Sequence, residues 1–322
     1  MKRGISTAGL VAFLLVDLVL VYLALRPPAV GTAPATPRGV VTSAPVATVG
    51  APAPGPDGTL SPTTPRTAPT GSTVGQRSPR PVRVLLAALD LEVAWRATVG
   101  TCAAGGARLA ISVDGGATWD DVEAPSATIS RIQPLDRDEG FVVGGVEGCG
   151  QDQFTTRDGG RAWAGPTALV GAWARRLDRP TEVTTPQSPT AEPCEGDIVI
   201  DLSRTSAQQA EALCSDGGVR VTGDGGVSWR DSGQASGALA LSNRLEGGVL
   251  ATYVARVGVE GCDGVQVAKV TQGADPVEVA CIRSVRATGG DVAISVADEA
   301  GWLVVDDRTW VSGAGLTVWE EA

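Results

Sequence analysis

Short hydrophobic runs separated by polar turns follow one another from about residue 83 to residue 322. Residues 84–89 and 107–113 are two of these runs. Apolar or alternating runs of this length, bounded by Gly, Asp and Pro, are typical of β-strands. The pattern therefore predicts an all-β domain over residues 83–322, in which short strands return at a regular spacing.

Three eight-residue segments within this domain align position for position as Ser/Thr, any residue, Asp, Gly, Gly, any residue, a small residue and Trp. The shared positions are Ser112, Asp114, Gly116 and Trp119; Thr156, Asp158, Gly160 and Trp163; and Thr222, Asp224, Gly226 and Trp229. Each segment follows a strand-like run, so it predicts a strand, a tight turn and a second strand. In such a turn the Asp accepts amide hydrogen bonds, the glycines allow positive φ, and the Trp packs over the hairpin.

The spacing of these turns groups the strands in fours. In the first unit, strand-like runs occupy residues 84–89, 92–99, 107–113 and 119–122, and the next unit repeats the arrangement. Trp119 and Trp163 are 44 positions apart, which is the period of one propeller blade. We therefore predict an all-β fold, a β-propeller of about five four-stranded blades.

Two later units depart from this period. Trp163 and Trp229 are 66 positions apart, and the excess falls at the Thr/Pro/Glu-rich residues 181–193. We predict a surface loop there, which is also a candidate contact loop. The fourth unit, residues 238–282, lacks the Asp-Gly-Gly turn and has Gln272-Gly273-Ala274-Asp275 roughly in its place.

The fifth unit runs from Val285 to the end of the chain. Its Asp306-Asp307-Arg308-Thr309-Trp310 segment is interpreted as a degenerate copy of the turn that kept Thr309 and Trp310. The strand that closes the ring is expected from either residues 316–319 or the start of the domain.

An apolar run near the N-terminus has a different character. Residues 5–25 are almost entirely apolar and follow Lys2 and Arg3. At 1.5 Å per residue such a run spans about 30 Å, the thickness of a bilayer core. We predict a cytoplasmic tail at residues 1–4 and a transmembrane signal-anchor helix at residues 5–26. A cleaved signal peptide is the alternative, although its apolar core is usually shorter.

Asp17 lies inside this apolar run. An ionised carboxylate at that depth costs roughly 2.5–3.5 kcal/mol, so Asp17 is a candidate for polar contact with another membrane helix. The alternative is a single acid that a strongly apolar helix tolerates.

Residues 27–82 separate the predicted helix from the β-domain. This stretch holds 13 of the 21 prolines and no aromatic residue. It offers too little apolar surface to offset the entropy of ordering, so it predicts a disordered Pro/Thr/Ala-rich linker.

Charge and composition exclude several functions. The chain has a net charge of -10, and the β-domain is its acidic part, which argues against a nucleic-acid partner. The sequence contains no His, so imidazole bases, Ser-His triads and His-ligated metal sites are excluded. The acids Asp136, Asp138 and Glu139 lack the full spacing of a calcium loop and are interpreted as surface charge. We expect no cofactor and no metal.

All six cysteines lie in the β-domain. An even set outside the membrane helix indicates an oxidising compartment. The favoured pairing, one of 15 possible, follows chain order: Cys102 with Cys149, Cys194 with Cys214, and Cys262 with Cys281. We therefore predict a single-pass plasma-membrane protein with a cytoplasmic N-terminus and an extracytoplasmic C-terminal domain.

The three Asp-Gly-Gly segments resemble the Asp-box, or BNR, repeat of sialidase-like propellers. Their spacing is more similar to that of photosystem II assembly-factor-like propellers and their relatives in non-photosynthetic bacteria. With the anchor and linker, the chain resembles membrane-anchored actinobacterial propellers. This resemblance implies a non-enzymatic binding, scaffold or assembly-factor module for a protein or cell-envelope ligand.

The alternative function is a sialidase-like glycoside hydrolase. Such an enzyme needs an arginine cluster, a Tyr activated by Glu, and an Asp acid/base. Tyr253 is the only Tyr outside the predicted helix, and the Arg-Ile-Pro signature of that family is interrupted at Arg131-Ile132-Gln133-Pro134. We therefore assign no catalytic residue, and Asp114, Asp158 and Asp224 are interpreted as structural. The arginines that are candidates for a central channel are Arg131, Arg175, Arg220, Arg256 and Arg283.

Overall fold

The computed structural model describes residues 80–322. Within this range the regular elements are all β-strands, and no helix is long and apolar enough to cross a membrane. The predicted tail, the predicted helix at residues 5–26 with Asp17, and the predicted linker up to residue 79 lie outside the described residues.

The strands form five four-stranded antiparallel sheets, each made of strands consecutive in sequence. Blade 1 contains β1 (Val84–Ala88), β2 (Ala94–Thr98), β3 (Arg108–Ser112) and β4 (Asp120–Val122). Blade 2 contains β5 (Thr128–Pro134), β6 (Gly140–Gly145), β7 (Asp152–Thr156) and β8 (Ala164–Ala168). A two-stranded sheet, β9 (Ala174–Arg175) and β10 (Val183–Thr184), follows.

The remaining three blades follow the same order. Blade 3 contains β11 (Val199–Arg204), β12 (Ala210–Cys214), β13 (Gly218–Thr222) and β14 (Arg230–Gln234). Blade 4 contains β15 (Ala238–Glu246), β16 (Val249–Arg256), β17 (Gly264–Thr271) and β18 (Ala274–Arg283). Blade 5 contains β19 (Val292–Val296), β20 (Ala300–Val305), β21 (Arg308–Gly313) and β22 (Glu320–Glu321).

The first strand of every blade lies at the centre of the domain. Strands β1, β5, β11, β15 and β19 line one central cavity, and each contacts the next around a ring except β5 and β11, which β9 separates. Side chains on the second and third strands form the cores between blades, because each sheet buries both faces against adjacent sheets. The prediction of a five-bladed β-propeller is confirmed.

The two-stranded sheet fills the ring between blades 2 and 3. Strand β9 contacts β5 on one side and β11 on the other. Val183 is fully buried in a cluster with Cys194, Val199 and Ala212. The prediction of a surface loop at residues 181–193 was therefore wrong for its first half, because Val183 and Thr184 form β10, which pairs with β9 in the gap between the blades. Gln187, Pro189 and Thr190 in the second half are exposed.

The outermost strand of blade 5 comes from the last residues of the chain. Strand β22 pairs with β21 through Glu320 and Glu321. Neither residues 316–319 nor the start of the domain supplies this strand, so both expectations for it were wrong. The ring instead closes by packing, since Val84 of blade 1 lies against Ala293 and Val304 of blade 5.

Three disulfides connect the six cysteines in chain order. Cys102–Cys149 joins the loop after β2 to the loop after β6 and therefore links blades 1 and 2. Cys194–Cys214 ties the segment after the two-stranded sheet to blade 3, and Cys262–Cys281 lies within blade 4. Each disulfide lowers the conformational entropy of the unfolded chain, which favours the folded ring.

Candidate functional site

The Asp-Gly-Gly turns connect the third and fourth strands of blades 1, 2 and 3. In the first turn, the Ser112 hydroxyl donates to Asp114 Oδ1 at 2.9 Å and accepts from the Gly116 amide at 2.9 Å. Asp114 also accepts hydrogen bonds from the amide and the hydroxyl of Thr118. The turns around Asp158 and Asp224 repeat this scheme. These carboxylates are bonded within their own hairpins, as structural turn residues are.

These bonds make the turns sensitive to acid. Hydrogen bonds from Ser228 and Thr222 lower the pKa of Asp224 from 3.8 to about 2. The stabilisation by this carboxylate is therefore present above pH 3.8 and is lost as the pH falls toward 2. We expect Asp224→Asn to lower the melting temperature at pH 7 and to reduce its further decrease between pH 4 and pH 2, as measured by circular dichroism.

The matched control is Asp298→Asn, since Asp298 is exposed and its carboxylate accepts no hydrogen bond from residues 80–322. Its acid profile should follow that of the unmodified chain. An Asp224→Asn variant with the same profile as this control would contradict the structural role of the turn.

The degenerate turn of blade 5 lies elsewhere than predicted. Asp306 and Asp307 form the turn between the second and third strands, and Thr309 and Trp310 lie in β21. The segment from the end of the third strand to the start of the fourth, residues 312–319, matches the pattern at its first, fourth and last positions and has Ala in place of Asp. The sequence interpretation failed because Thr-Trp at positions 309 and 310 imitates the end of the motif. In blade 4, Gln272 and Gly273 connect β17 to β18, as expected.

The tryptophans of the Asp-Gly-Gly turns contact the preceding unit of the ring. Each is paired edge to face with a fully buried tryptophan, at centroid distances of 6.0–6.1 Å. The pairs are Trp119 with Trp302, Trp163 with Trp95, and Trp229 with Trp173. The expectation that each Trp packs over its own hairpin missed this partner. The turns therefore join neighbouring units as well as neighbouring strands.

Two of these buried partners, Trp95 and Trp302, occupy an equivalent position in the second strand of their blades, whereas Trp173 lies just before β9. In every blade this position of the second strand pairs with a residue near the end of the third strand. It is held by Trp95, Phe141, Glu211, Tyr253 and Trp302. Four of these five residues are aromatic. Tyr253 therefore stands where the other blades place a packing residue, and Glu211 is the polar exception.

Glu211 is fully buried at the contact between blades 3 and 4. Its carboxylate accepts hydrogen bonds from Thr252 Oγ1 at 2.5 Å, Asn243 Nδ2 at 3.2 Å and Ser232 Oγ at 3.1 Å. Burial raises its pKa, and the three hydrogen bonds oppose that rise. The bonds from Thr252 and Asn243 tie its blade to the next one around the ring, and the bond from Ser232 lies within blade 3.

Tyr253 is held in a cluster with charged neighbours. Its hydroxyl donates to Glu246 at 2.5 Å, and that carboxylate also accepts from Lys269 and Arg244. The Lys269 ammonium, followed by the Tyr253 hydroxyl, lowers the pKa of Glu246 to about 2. Burial and the bond to Glu246 raise the pKa of Tyr253. Arg244 bonds carbonyl groups of blade 5, including Ala314 O at 2.9 Å, so the cluster joins blades 4 and 5.

The central cavity is lined by all five blades and by the two-stranded sheet, and every one of these units except blade 1 contributes polar side chains. Its volume is about 210 Å³. Aliphatic lining comes from residues such as Leu85 and Leu241, and hydroxyl or amide groups from Ser203 and Asn243. The ionisable residues of its wall are Arg131, Arg175, Asp201 and Arg204.

Arg175 and Asp201 are satisfied inside the wall. Arg175 donates to Val82 O at 2.9 Å and to Ile200 O at 3.3 Å. Asp201 accepts from the amides of Leu202 and Leu241. Burial raises the pKa of Asp201 while the charge of Arg175 opposes that rise. Their hydrogen bonds connect inner strands, and each charge partly opposes the effect of burial on the pKa of the other.

Arg131 and Arg204 share one neutral acceptor. Gln133 Oε1 accepts from Arg131 Nη2 at 3.3 Å and from Arg204 Nη2 at 2.6 Å. Neither guanidinium forms an ion pair with another of the residues 80–322. Burial and the charge of Arg204 lower the pKa of Arg131 to about 9. Two positive charges thus meet in the cavity without a carboxylate partner.

The five arginines proposed for the channel separate into two groups. Arg131 and Arg175 line the cavity, whereas Arg220, Arg256 and Arg283 do not. Arg220 pairs with Asp231 of its own blade instead. Sequence analysis missed Arg204 and Gln133, because an arginine at a strand end looks like a surface residue. Among residues 80–322 no group of three or more acidic or cysteine side chains is placed to hold a metal, and Asp136 accepts the amides of Asp138 and Glu139.

Comparison with known proteins gives only distant similarities. No protein-family model and no curated protein matches the chain. A structure of YCF48 bound to a D1 peptide is 16% identical, with 76% of this chain and 68% of that chain covered, at a TM-score of 0.28. YCF48 from Cyanidioschyzon merolae is 15% identical, with coverages of 76% and 87% and a TM-score of 0.27.

The similar structures also include enzymes. An ancestral GH74 enzyme is 13% identical at a TM-score of 0.25, with 76% of this chain covered. This chain spans only 32% of that enzyme. YCF48 proteins and a GH74 enzyme therefore both occur among the similar structures, and similarity at this level assigns no function to this chain.

Proposed function

We propose that residues 83–322 form a non-enzymatic binding or scaffold module for a protein or cell-envelope ligand, recognised at the central cavity. The observation that carries this proposal is the pair Arg131 and Arg204, two cavity-lining charges whose shared acceptor is a neutral amide. Unpaired charges held in a partly buried wall are costly for folding alone, so they favour a role in binding. A rigid ring of inner strands also presents them with little reorganisation.

The environment of Tyr253 supports a binding module over a sialidase-like hydrolase. A tyrosine nucleophile needs a lowered pKa or a free general base. Here the pKa of Tyr253 is raised, its residue is 4% exposed, and Glu246 is already bonded by Lys269 and Arg244. Tyr253 lies outside the wall of the central cavity. Tyr253 therefore has the surroundings of a packing residue, as Trp95 and Trp302 have at the equivalent position, and not those of a reactive group.

Tyr253→Phe should therefore act on stability alone. Loss of the hydrogen bond to Glu246 should lower the free energy of unfolding by about 1–2 kcal/mol, measured by urea titration. The matched control is Tyr22→Phe, at the only other tyrosine, assayed in the same full-length chain. Hydrolysis of a fluorogenic sialoside by the unmodified chain, lost on Tyr253→Phe, would contradict the proposal and favour the hydrolase.

We further propose that residues 5–26 anchor the chain in the plasma membrane, with the propeller on the extracytoplasmic side. Three disulfides support an oxidising environment for the propeller. Asp17 is proposed to contact another membrane helix, and Asp17→Leu should then change the membrane proteins that co-purify. Protease treatment of intact cells should release propeller fragments. Complete protection of the propeller in intact cells would refute the orientation.

Crosslinking of the full-length chain in native membranes, followed by mass spectrometry, tests the binding function. We expect a defined partner to be recovered with the unmodified chain and to be reduced with the Arg131→Gln/Arg204→Gln variant. Arg220→Gln is the control, because Arg220 lies outside the cavity and pairs with Asp231. Equal recovery with all three chains would exclude the cavity as the binding surface, and recovery of no partner would contradict the scaffold function.

A further inference from the structure

The Arg131 and Arg204 guanidinium groups have donors left over. Arg204 makes one hydrogen bond, from Nη2 to Gln133, while its buried Nε has no partner among the described residues. Arg131 donates to Trp173 O at 3.2 Å and to Gln133, and it lies 4.9 Å from the centre of the Phe141 ring. The side chains are therefore fixed in position, but their charge is not neutralised by the protein.

The position of Gln133 shows what this pair is built to accept. Its Nε2 donates to Pro134 O at 3.0 Å, which turns Oε1 toward the two guanidinium groups. An amide oxygen and a carboxylate oxygen share the same planar geometry and the same preference for guanidinium donors. A ligand carboxylate beside Gln133 would accept charge-assisted hydrogen bonds from the two guanidinium groups. These bonds are stronger than those to the neutral Gln133 amide.

The cavity is large enough for a carboxylate group, and the charge of its wall is positive. Its volume of about 210 Å³ accommodates a carboxylate with a few further atoms. Its wall carries three arginines against one aspartate, and Asp201 is already opposed by Arg175. The remaining two positive charges would attract an anion even though the chain as a whole has a net charge of -10.

We propose that the central cavity binds the carboxylate group of its ligand between Arg131 and Arg204. This assignment rests on the proposed binding function and names the chemistry that the site recognises. A free carboxylate on a peptide-like ligand and one on an acidic sugar share this chemistry. The test therefore includes a probe for each source.

Binding is measured by thermal unfolding of the full-length chain at constant ionic strength with acetate, N-acetylglycine, glucuronate, chloride, sulfate or phosphate. All eight tryptophans lie between residues 95 and 319, so their fluorescence reports on the propeller. We expect the carboxylates to raise the melting temperature more than chloride, sulfate or phosphate. A larger shift with N-acetylglycine then indicates a peptide-like ligand, and a larger shift with glucuronate indicates an acidic sugar. Equal shifts with all anions, or larger shifts with sulfate or phosphate, would overturn the proposal.

Substitutions test whether the carboxylate binds at Arg131 and Arg204. Arg204→Gln and Arg131→Gln should each weaken carboxylate binding by about tenfold or more, because each removes charge-assisted hydrogen bonds. Arg204→Lys keeps the charge and should retain part of the binding, and Arg220→Gln should bind as the unmodified chain does. Gln133→Glu places a tethered carboxylate at the pair and should abolish the carboxylate-dependent shift. An undiminished shift in Arg204→Gln or Gln133→Glu would overturn the proposal.

These outcomes are separable from those of the crosslinking experiment. A partner that is captured equally well by the Arg131→Gln/Arg204→Gln variant would leave the binding function standing and would refute the carboxylate site. A carboxylate-specific shift without a captured partner would support the site and contradict the scaffold function.

Discussion

Replacing Trp302 by alanine should lower the free energy of unfolding by about 3–5 kcal/mol. Trp302 is fully buried in β20, where its Nε1 donates to Asp90 O at 2.7 Å and its ring meets Trp119 edge to face at 6.0 Å. Asp90 and Trp119 belong to blade 1, whereas Trp302 belongs to blade 5. The substitution therefore removes packing at the point where the two ends of the chain close the ring.

The contribution of the aromatic pair can be measured separately. The two blades are tightly packed at this pair, because a Cβ added to Gly116, which has a φ of +90°, would lie 3.1 Å from the Trp302 ring. Trp302→Phe should cost less than Trp302→Ala, since it keeps an aromatic ring and loses only the bond to Asp90 and part of the volume. A double-mutant cycle with Trp119→Ala should give a coupling of about 0.5–1.5 kcal/mol by urea titration. A coupling near zero would refute the proposed link between the blades.

Replacing Glu211 by alanine should lower the free energy of unfolding by about 3 kcal/mol. The substitution leaves Thr252, Asn243 and Ser232 without their acceptor inside the contact between blades 3 and 4. Each buried polar group that loses its partner costs about 1–3 kcal/mol, and relaxation of the hydroxyl groups recovers part of the sum. Glu260→Ala, at an exposed glutamate, should change stability by less than about 0.5 kcal/mol.

Glu211→Gln separates the charge of this residue from its hydrogen bonds. Because the folded state raises the pKa of Glu211, this group stabilises the fold most below its ordinary pKa of 4.5. That stabilisation is lost as the pH rises through the raised pKa. We therefore expect Glu211→Gln to gain stability relative to the unmodified chain between pH 4 and pH 8, as measured by urea titration. A constant difference across this range would contradict a raised pKa.

Local features of the chain were well predicted from sequence. The Asp-Gly-Gly turns were recognised because their hydrogen bonds join residues two to four positions apart, as between Ser112 and Asp114. The first three strands of blades 1 and 2 were recognised because each has an apolar or alternating run. The disulfide Cys102–Cys149 followed from the equivalent places of its cysteines in adjacent repeats. In all these cases, nearby residues or a repeat carry the information.

Noncovalent contacts between blades were not predicted. Trp95 and Trp163 lie 68 positions apart, and Gln133 and Arg204 lie 71 positions apart, so no local pattern connects them. The inner strand at Ala174–Arg175 is too short for a hydrophobic run to reveal it. Its place in the ring is decided by the gap between blades 2 and 3. The turn of residues 312–319 was missed because Ala314 and Leu316 replace the Asp and the second Gly of the motif, although Leu316 keeps the positive φ, 58°, of that Gly.

The sequence by itself determined that this protein repeats a four-stranded unit and that its Asp-Gly-Gly acids serve turns, because strands and turns depend on short-range periodicity and backbone chemistry. Only the tertiary structure decided which side chains meet at the centre. Inner strands from distant parts of the chain converge there, and their convergence places Arg131 and Arg204 around one amide oxygen. It also placed Tyr253 at a packing position between blades and not in the cavity. Neighbours set the electrostatic environment of a side chain, and in a ring of blades those neighbours come from elsewhere in the sequence.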